Sequence, residues 1–106
     1  MKNEEFYQML YSKQYNELEK RLQKEYDSNK NLEAKYQLGI CYGEQFEKIE
    51  NAKQIFKELM NTEFRPPYIY FFNAQHTNGE MEKMKIINEG LRIYPDNRML
   101  NNQLLL

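Results

Sequence analysis

Cys41 and His76 are the two side chains whose types could begin nucleophilic chemistry, and each is the only residue of its kind in the 106-residue sequence. A cysteine beside a histidine can form a nucleophile–base pair, because the imidazole accepts the thiol proton. Thr77 and Glu80 follow His76, but no acid stands at a motif spacing that would orient the imidazole. We therefore expect no catalytic site, and we interpret Cys41 as a packing residue.

Metal and cofactor sites need residue types that the sequence supplies sparsely. One histidine and one cysteine give too few soft ligands for a zinc site. No glycine-rich loop follows a strand, as phosphate-binding motifs require. The four glycines each have a turn or a helix crossing as explanation: Gly39, Gly43, Gly79 and Gly90. We predict a chain without metal or cofactor that is not an enzyme.

The charge balance argues against nucleic acid as the partner. The sequence has 15 Lys and Arg residues against 16 Asp and Glu residues, for a net charge of −1. Proteins that bind nucleic acid through phosphate contacts usually carry a basic excess or a basic face. The densest basic run, Lys20 to Lys24, is flanked directly by Glu19 and Glu25. This pattern is typical of a solvated helix face with ion pairs between successive turns.

The cysteine count and the hydropathy pattern indicate a compartment. With one cysteine the chain can form no internal disulfide, which favours a reducing environment. The N-terminal segment contains no apolar core of signal-peptide length, and no apolar run is long enough for a membrane helix. We expect a cytoplasmic protein without a membrane partner.

Three segments, residues 15–26, 49–60 and 81–94, show a helical period with one apolar stripe and a charged back. Each is predicted to be a helix buried on one side. The stripe residues are Tyr15, Leu18, Leu22 and Tyr26 in the first segment, Ile49, Ala52, Ile55, Phe56 and Leu59 in the second, and Met81, Met84, Ile87, Leu91 and Tyr94 in the third.

Two further segments, residues 32–42 and 66–75, are apolar nearly all the way round and are predicted to be helices covered on two faces. Asn29 or Asn31 can cap the first. The second opens with two prolines, which suit the first turn of a helix because the missing N–H costs nothing there. A strand is the alternative for the second segment, but its Asn-Ala-Gln ending does not continue a β alternation.

A sequence repeat organises these helices. Leu18, Ala52 and Met84 hold equivalent positions in the three stripes at nearly equal spacing along the chain, with a period of about 34 residues that is typical of helical repeats. Short connections between consecutive helices imply antiparallel hairpins, and stacked hairpins of this period form helical solenoids. We predict one all-α domain, residues 1–106, with approximate repeats 3–28, 32–64 and 66–95 and a capping helix 96–105.

The residues of these repeats resemble the tetratricopeptide repeat family. The stretch "AKYQLGICY", residues 34–42, is similar to the signature of that family's first helix, and Ala52, Phe56 and Leu59 match its second helix. Residues 78–97 resemble its Gly-acidic turn, second helix and closing Pro-Asp link. Phe72 departs from the pattern, since glycine is usual there. The resemblance implies a TPR-like α-solenoid of about three antiparallel helix hairpins plus a short C-terminal capping helix.

The resemblance also implies a concave groove that binds a peptide or helix of a partner protein. We therefore expect a protein–protein interaction module with an adaptor, chaperone-like or regulatory role. A small peptide-sensing regulator is an alternative, and Tyr36 and Ile69 could instead be core residues. The groove residues predicted by register are Glu33, Tyr36, Gln37, Ile40, Glu44, Ile69, Asn73 and His76.

The C-terminal segment offers a second kind of surface. Asp96 is predicted to cap a seventh helix, and no charged residue follows Arg98. A terminal repeat needs a polar outer face to remain soluble. The segment either tucks in or leaves an apolar patch for a partner or a second copy, which makes a homodimer an alternative. The candidate self-association residues are Met99, Leu100, Leu104, Leu105 and Leu106.

Overall fold

The computed structural model describes the backbone of residues 1–105 and the side chains of residues 1–104. Over this range the chain is all-helical, as predicted, with no strand and no helix long and apolar enough to cross a membrane. The α-helices are α1 (Asn3–Tyr11), α2 (Tyr15–Asn29), α3 (Leu32–Gly43), α4 (Ile49–Leu59), α5 (Pro67–Gln75), α6 (Glu80–Ile93) and α7 (Arg98–Asn102), and 3₁₀ turns cover Phe46–Lys48 and Gln103–Leu105.

The described chain divides into two compact units, of which the first spans Met1–Glu58 and the second begins at Leu59. In the first unit α2 lies along both α1 and α3. The apolar stripes predicted for α2 and α4 supply much of its buried surface. The fully buried side chains of this unit are Phe6, Leu18, Leu22, Ala34, Cys41, Ala52 and Phe56.

The start of α3 and its approach to α4 follow from local sequence. The Asn31 side-chain oxygen accepts hydrogen bonds from the backbone N–H groups of Glu33, at 2.9 Å, and Ala34, at 3.4 Å. Asn31 is therefore the N-cap, one of the two caps predicted. Farther along α3, a methyl group on Gly39 would lie 2.7 Å from Cε1 of Phe56. Glycine at position 39 leaves room for the Phe56 ring against α3.

In the second unit α5 packs along α6, and α7 contacts both helices. The helix predicted after the double proline is confirmed, since α5 begins at Pro67. The core of the second unit contains buried residues from α5, α6 and α7. The buried cluster consists of Tyr70, Ala74, Ile87 and Leu100, with Met60, Phe71, Ile86, Leu91 and Tyr94 packed against it.

The predicted stripe of α6 is wrong at its first two positions. Met81 is 87% exposed and Met84 38% exposed, whereas Ile87 is buried. The reason is the rotation of α6, which turns Gly90 toward Tyr70: a methyl group on Gly90 would lie 2.9 Å from Cβ of Tyr70. Nine residues at about 100° each place Met81 on the opposite side of the helix from Gly90.

The predicted cap of α7 is also wrong. Asn97, and not Asp96, caps the helix, because its side-chain oxygen accepts the backbone N–H of Leu100 at 3.0 Å. The predicted capping helix 96–105 is a shorter α-helix, Arg98–Asn102, followed by a 3₁₀ turn. Asn and Asp cap helices about equally well, so residue type alone could not choose between neighbouring positions.

Candidate functional site

The Cys41 thiol lies fully buried on α3. Burial, with a smaller contribution from the nearby Glu19 carboxylate, raises the pKa of this thiol to about 12, since both disfavour the thiolate. The sulfur lies 4.0 Å from the carbonyl oxygen of Tyr15. At neutral pH the thiol is protonated. Cys41 is therefore a packing residue, as predicted from its position in the first helix of the repeat 32–64.

His76 lies exposed at the C-terminal end of α5. Its ring packs on the ring of Phe72, with 4.3 Å between the centroids. Across residues 1–105 the structure contains no group of three His, Cys, Asp and Glu side chains placed to hold a metal ion.

The residues predicted to line a groove on α3 divide into exposed and buried positions. Glu33 and Glu44 are partly or fully exposed near the two ends of the helix, and Tyr36 is half-buried. Between them Gln37 is 2% exposed and Ile40 is 9% exposed. What α3 presents to solvent along this edge is therefore mainly acidic.

Gln37 is buried because the first residues of the chain lie over it. Its amide Nε2 donates to the carbonyl oxygen of Met1 at 2.8 Å and to the Asn3 side-chain oxygen at 3.3 Å. The other amide atom, Oε1, has no hydrogen-bond partner in the described part of the chain. Residues 1–3 thus occupy the position at Gln37 where the groove predicted from the sequence would hold a ligand.

The predicted groove residues of α5 lie in the second unit. Ile69 is fully buried, Asn73 is half-buried and His76 is exposed. The Asn73 backbone carbonyl accepts the Thr77 hydroxyl at 2.6 Å, which closes the end of the helix. Ile69 is therefore a core residue in this structure, in agreement with the alternative interpretation of the sequence.

The predicted self-association residues at the C-terminus also differ in exposure. Leu100 is fully buried in the cluster around Tyr70, and Met99 is half-buried. Leu104 is 43% exposed. The side chain of Leu105 and the whole of Leu106 lie outside the described residues. Leu100 therefore contributes to the core of the second unit and offers no exposed surface.

Phe46 is the most exposed large apolar side chain in the described structure, at 92%. It opens the 3₁₀ turn between α3 and α4. An aromatic side chain held in water loses the free energy that burial would give, about 1.5–3 kcal/mol for a full side chain. A single exposed apolar residue is common on protein surfaces. The contacts of the turn around Phe46 therefore have to show whether its exposure suits a binding role.

The turn that carries Phe46 is anchored on both sides. Before it, Gln45 is 7% exposed, and its Nε2 donates to the carbonyl oxygen of Cys41 at 3.1 Å. After it, the Lys48 ammonium group donates to the Glu19 carboxylate on α2 at 2.6 Å. This hydrogen bond raises the pKa of Lys48 above its ordinary value. The neighbours of Phe46 are therefore fixed while its ring points into solvent.

Two carboxylates flank the Phe46 ring along the chain. Glu44 follows the last residue of α3 and Glu47 follows Phe46, and both reach solvent. Lys48 is the nearest cation in sequence, but its charge is paired with Glu19. Phe46 is therefore an exposed aromatic residue with two exposed acidic residues within two positions of it in sequence. We call Glu44, Phe46 and Glu47 the Phe46 knob.

Phe46 is not predicted from helical periodicity, because it lies in a short connection between two helices. The available signal was an aromatic residue in the charged stretch "EQFEK", residues 44–48. Comparison with protein-family models, curated proteins and solved structures found no match.

Proposed function

We propose that this chain is a non-enzymatic protein-binding module built from tetratricopeptide-like helical hairpins. The observation that carries the proposal is the Phe46 knob, an aromatic side chain 92% exposed on an anchored turn. The buried, protonated Cys41 thiol supports the non-enzymatic part, because it leaves the most reactive side-chain type in the sequence without a nucleophilic form at neutral pH.

The hairpin part of the proposal rests on two glycine contacts. Gly39 brings α3 close to Phe56 of α4, and Gly90 brings α6 close to Tyr70 of α5. In the pair formed by α5 and α6 the glycine lies on α6. This explains why α5 can carry Phe72 where the family usually has glycine. Both contacts join helices consecutive in sequence, as helical hairpin repeats require.

The Phe46 knob suits a binding role for energetic reasons. Interface hot spots are rigid side chains that become fully desolvated in a pocket of the partner. Because Gln45 and Lys48 anchor the turn, ordering Phe46 on binding costs little conformational entropy. Burial of the ring then contributes most of its hydrophobic free energy to affinity.

The charges around the ring specify the partner's chemistry. Glu44 and Glu47 are exposed and lie within two positions of Phe46 in sequence, so a partner pocket rimmed by Lys or Arg fits better than one rimmed by acids. We propose a peptide or helix that offers an apolar pocket with a basic border. Glu33, in the first turn of α3, extends the acidic surface toward the start of that helix.

The α3 surface predicted from the family resemblance remains part of the proposal in a reduced form. Gln37 and Ile40 are buried and cannot contact a ligand. The proposed ligand contacts on α3 are therefore Glu33, Tyr36 and Glu44. In the second unit, Asn73 and His76 of α5 are proposed as a contact surface of their own. Ile40 and Ile69 act as core residues, and affinity comes from Phe46 instead.

The proposal is tested by affinity capture from lysate with three matched baits. One is the wild type, one carries Phe46→Ser, and the control carries Tyr11→Ser, which removes another exposed aromatic ring, at 78% exposure, from α1. We expect a protein retained by the wild type and the control but lost by Phe46→Ser. Equal capture by all three baits would exclude the Phe46 knob as the binding surface.

A further inference from the structure

The outward face of α6 carries an apolar seam. Met81 is 87% exposed and Met84 38% exposed, and both lie away from the side on which Gly90 meets Tyr70. Together with Glu80, Lys85 and Asn88 they line a shallow surface depression of about 380 Å³. Two neighbouring methionines on a helix face resemble the seams by which helices pair.

The order of residues along this face follows the rule for a two-stranded coiled coil. Met81, Met84 and Asn88 are spaced by three and then four positions, which is the spacing of the core positions of a heptad. Glu80 and Lys85 border the seam on opposite sides. In a heptad these are the two flanking positions that form ion pairs between helices and set their orientation.

We infer that α6 pairs with α6 of a second copy of this chain, parallel and in register, through Met81, Met84 and Asn88. In a parallel pair Glu80 of each copy faces Lys85 of the other, so symmetry produces two ion pairs. An antiparallel pair would bring Glu80 toward Glu80 and Lys85 toward Lys85, which repel. The charges on α6 therefore favour a second copy of this chain as the partner, with the two helices parallel.

The present contacts of the flanking residues leave them available for this pairing. Glu80 approaches only Lys83 in the described residues, at 3.8 Å, and its side chain is 89% exposed. Lys85 and Asn88 are exposed, and neither makes a side-chain hydrogen bond or ion pair within residues 1–105. A polar Asn at one core position of a seam typically fixes register, because it is satisfied only opposite another Asn.

The length of the seam limits the strength of the dimer. Residues 80–88 cover about 12 Å of helix, at about 1.5 Å per residue. This contact is smaller than a standard interface of about 800 Å² per partner. We therefore expect an equilibrium in which monomer dominates at low concentration and dimer forms at high concentration.

The charge arrangement is tested by sedimentation equilibrium on the wild type and on Glu80→Lys and Lys85→Glu. The wild-type mass should rise with concentration from 13.0 kDa toward twice that value. Each variant alone places like charges opposite each other and should weaken dimerisation at least about fivefold. An equimolar mixture restores opposite charges and should recover the wild-type affinity within about threefold.

A second measurement detects the pairing even when it is weak. Met84→Cys places a thiol on the seam, where parallel helices bring equivalent residues within disulfide reach. Ile93→Cys is the matched control, because Ile93 is 44% exposed on the same helix and lies about 180° around it from Met84. Under mild oxidation we expect covalent dimers from Met84→Cys alone. Equal cross-linking of both variants, or charge variants that dimerise like the wild type, would overturn the inference.

Discussion

Gly90 of α6 lies against Tyr70 of α5 so closely that a methyl group on the glycine would be 2.9 Å from both Cβ and Cγ of the tyrosine. It would also lie 3.0 Å from Cδ1 of Leu100 on α7. This contact fixes the rotation of α6, because only one side of the helix can approach α5 at that distance. The rotation in turn buries Ile87 and exposes Met81.

Gly90→Ala should therefore destabilise the protein. Overpacking a closely packed core costs about 1–3 kcal/mol, and the better helix propensity of alanine offsets at most about 1 kcal/mol of this. We expect the free energy of unfolding, measured by urea denaturation, to fall by about 1–2 kcal/mol. Glu82→Ala, at an exposed position of the same helix outside the seam, is the control and should change stability by no more than about 0.5 kcal/mol. Equal effects of the two changes would contradict this account of α6.

Two tyrosines of the second unit should respond oppositely to the loss of their hydroxyl groups. The Tyr70 hydroxyl is buried without a hydrogen-bond partner in the described residues, whereas the Tyr94 hydroxyl donates to the carbonyl oxygen of Arg65 at 2.8 Å. An unsatisfied buried polar group costs about 1–3 kcal/mol, and a satisfied hydrogen bond contributes about 1 kcal/mol. Tyr70→Phe should raise the free energy of unfolding and Tyr94→Phe should lower it. A loss of stability in Tyr70→Phe comparable to that in Tyr94→Phe would refute the assignment.

Cys41 should make stability depend on pH in the alkaline range. The pKa of its thiol is raised to about 12 in the folded protein, against about 8.5 in an unfolded chain. The stabilisation is fully present below about pH 8.5 and is lost as pH rises from there toward 12, because the unfolded chain releases the proton first. Between pH 8 and pH 10 the wild type should lose about 2 kcal/mol more than Cys41→Ala. Parallel stability profiles of the two proteins over this range would contradict the burial of the thiol.

Two neighbouring residues of the turn that carries the Phe46 knob should differ in their effect on stability. Gln45 is buried and its amide donates to the Cys41 carbonyl at 3.1 Å, so Gln45→Ala should cost about 1–2 kcal/mol of unfolding free energy. Phe46→Ser should change stability by no more than about 0.5 kcal/mol, because the ring is exposed. Thermal denaturation of both variants measures the difference. A large loss in Phe46→Ser would show that the ring contributes to folding and is not reserved for a partner.

The sequence predicted the helical class and several helix boundaries because those depend on local rules. Asn31 caps α3 and Pro67 begins α5, in each case for reasons contained within one turn of chain. The buried stripes of α2 and α4 were equally predictable, since their apolar period is regular. Met81 was predicted wrongly because the Gly90–Tyr70 contact, between two helices, sets the rotation of α6. Asp96 was predicted wrongly because the neighbouring Asn97 is an equally suitable cap.

The candidate site was less predictable than the fold. Gln37 was expected to meet a ligand, but residues 1–3 cover it, and a contact between segments so distant in sequence leaves no local signal. Phe46 was not singled out, because exposure of one ring in a short connection depends on how its neighbours are anchored. Those anchors, Cys41 and Glu19, lie on two different helices.

The central claim is that Phe46 contacts a protein partner, and site-specific photo-cross-linking tests it most directly. A benzophenone amino acid replaces Phe46 in one sample and Tyr11 in a control sample, and both are irradiated in lysate. We expect position 46 to cross-link one dominant protein that competes with added wild-type chain, and position 11 to give no such product. Failure of position 46 to cross-link a competable partner, or the same products from both positions, would contradict the proposed function.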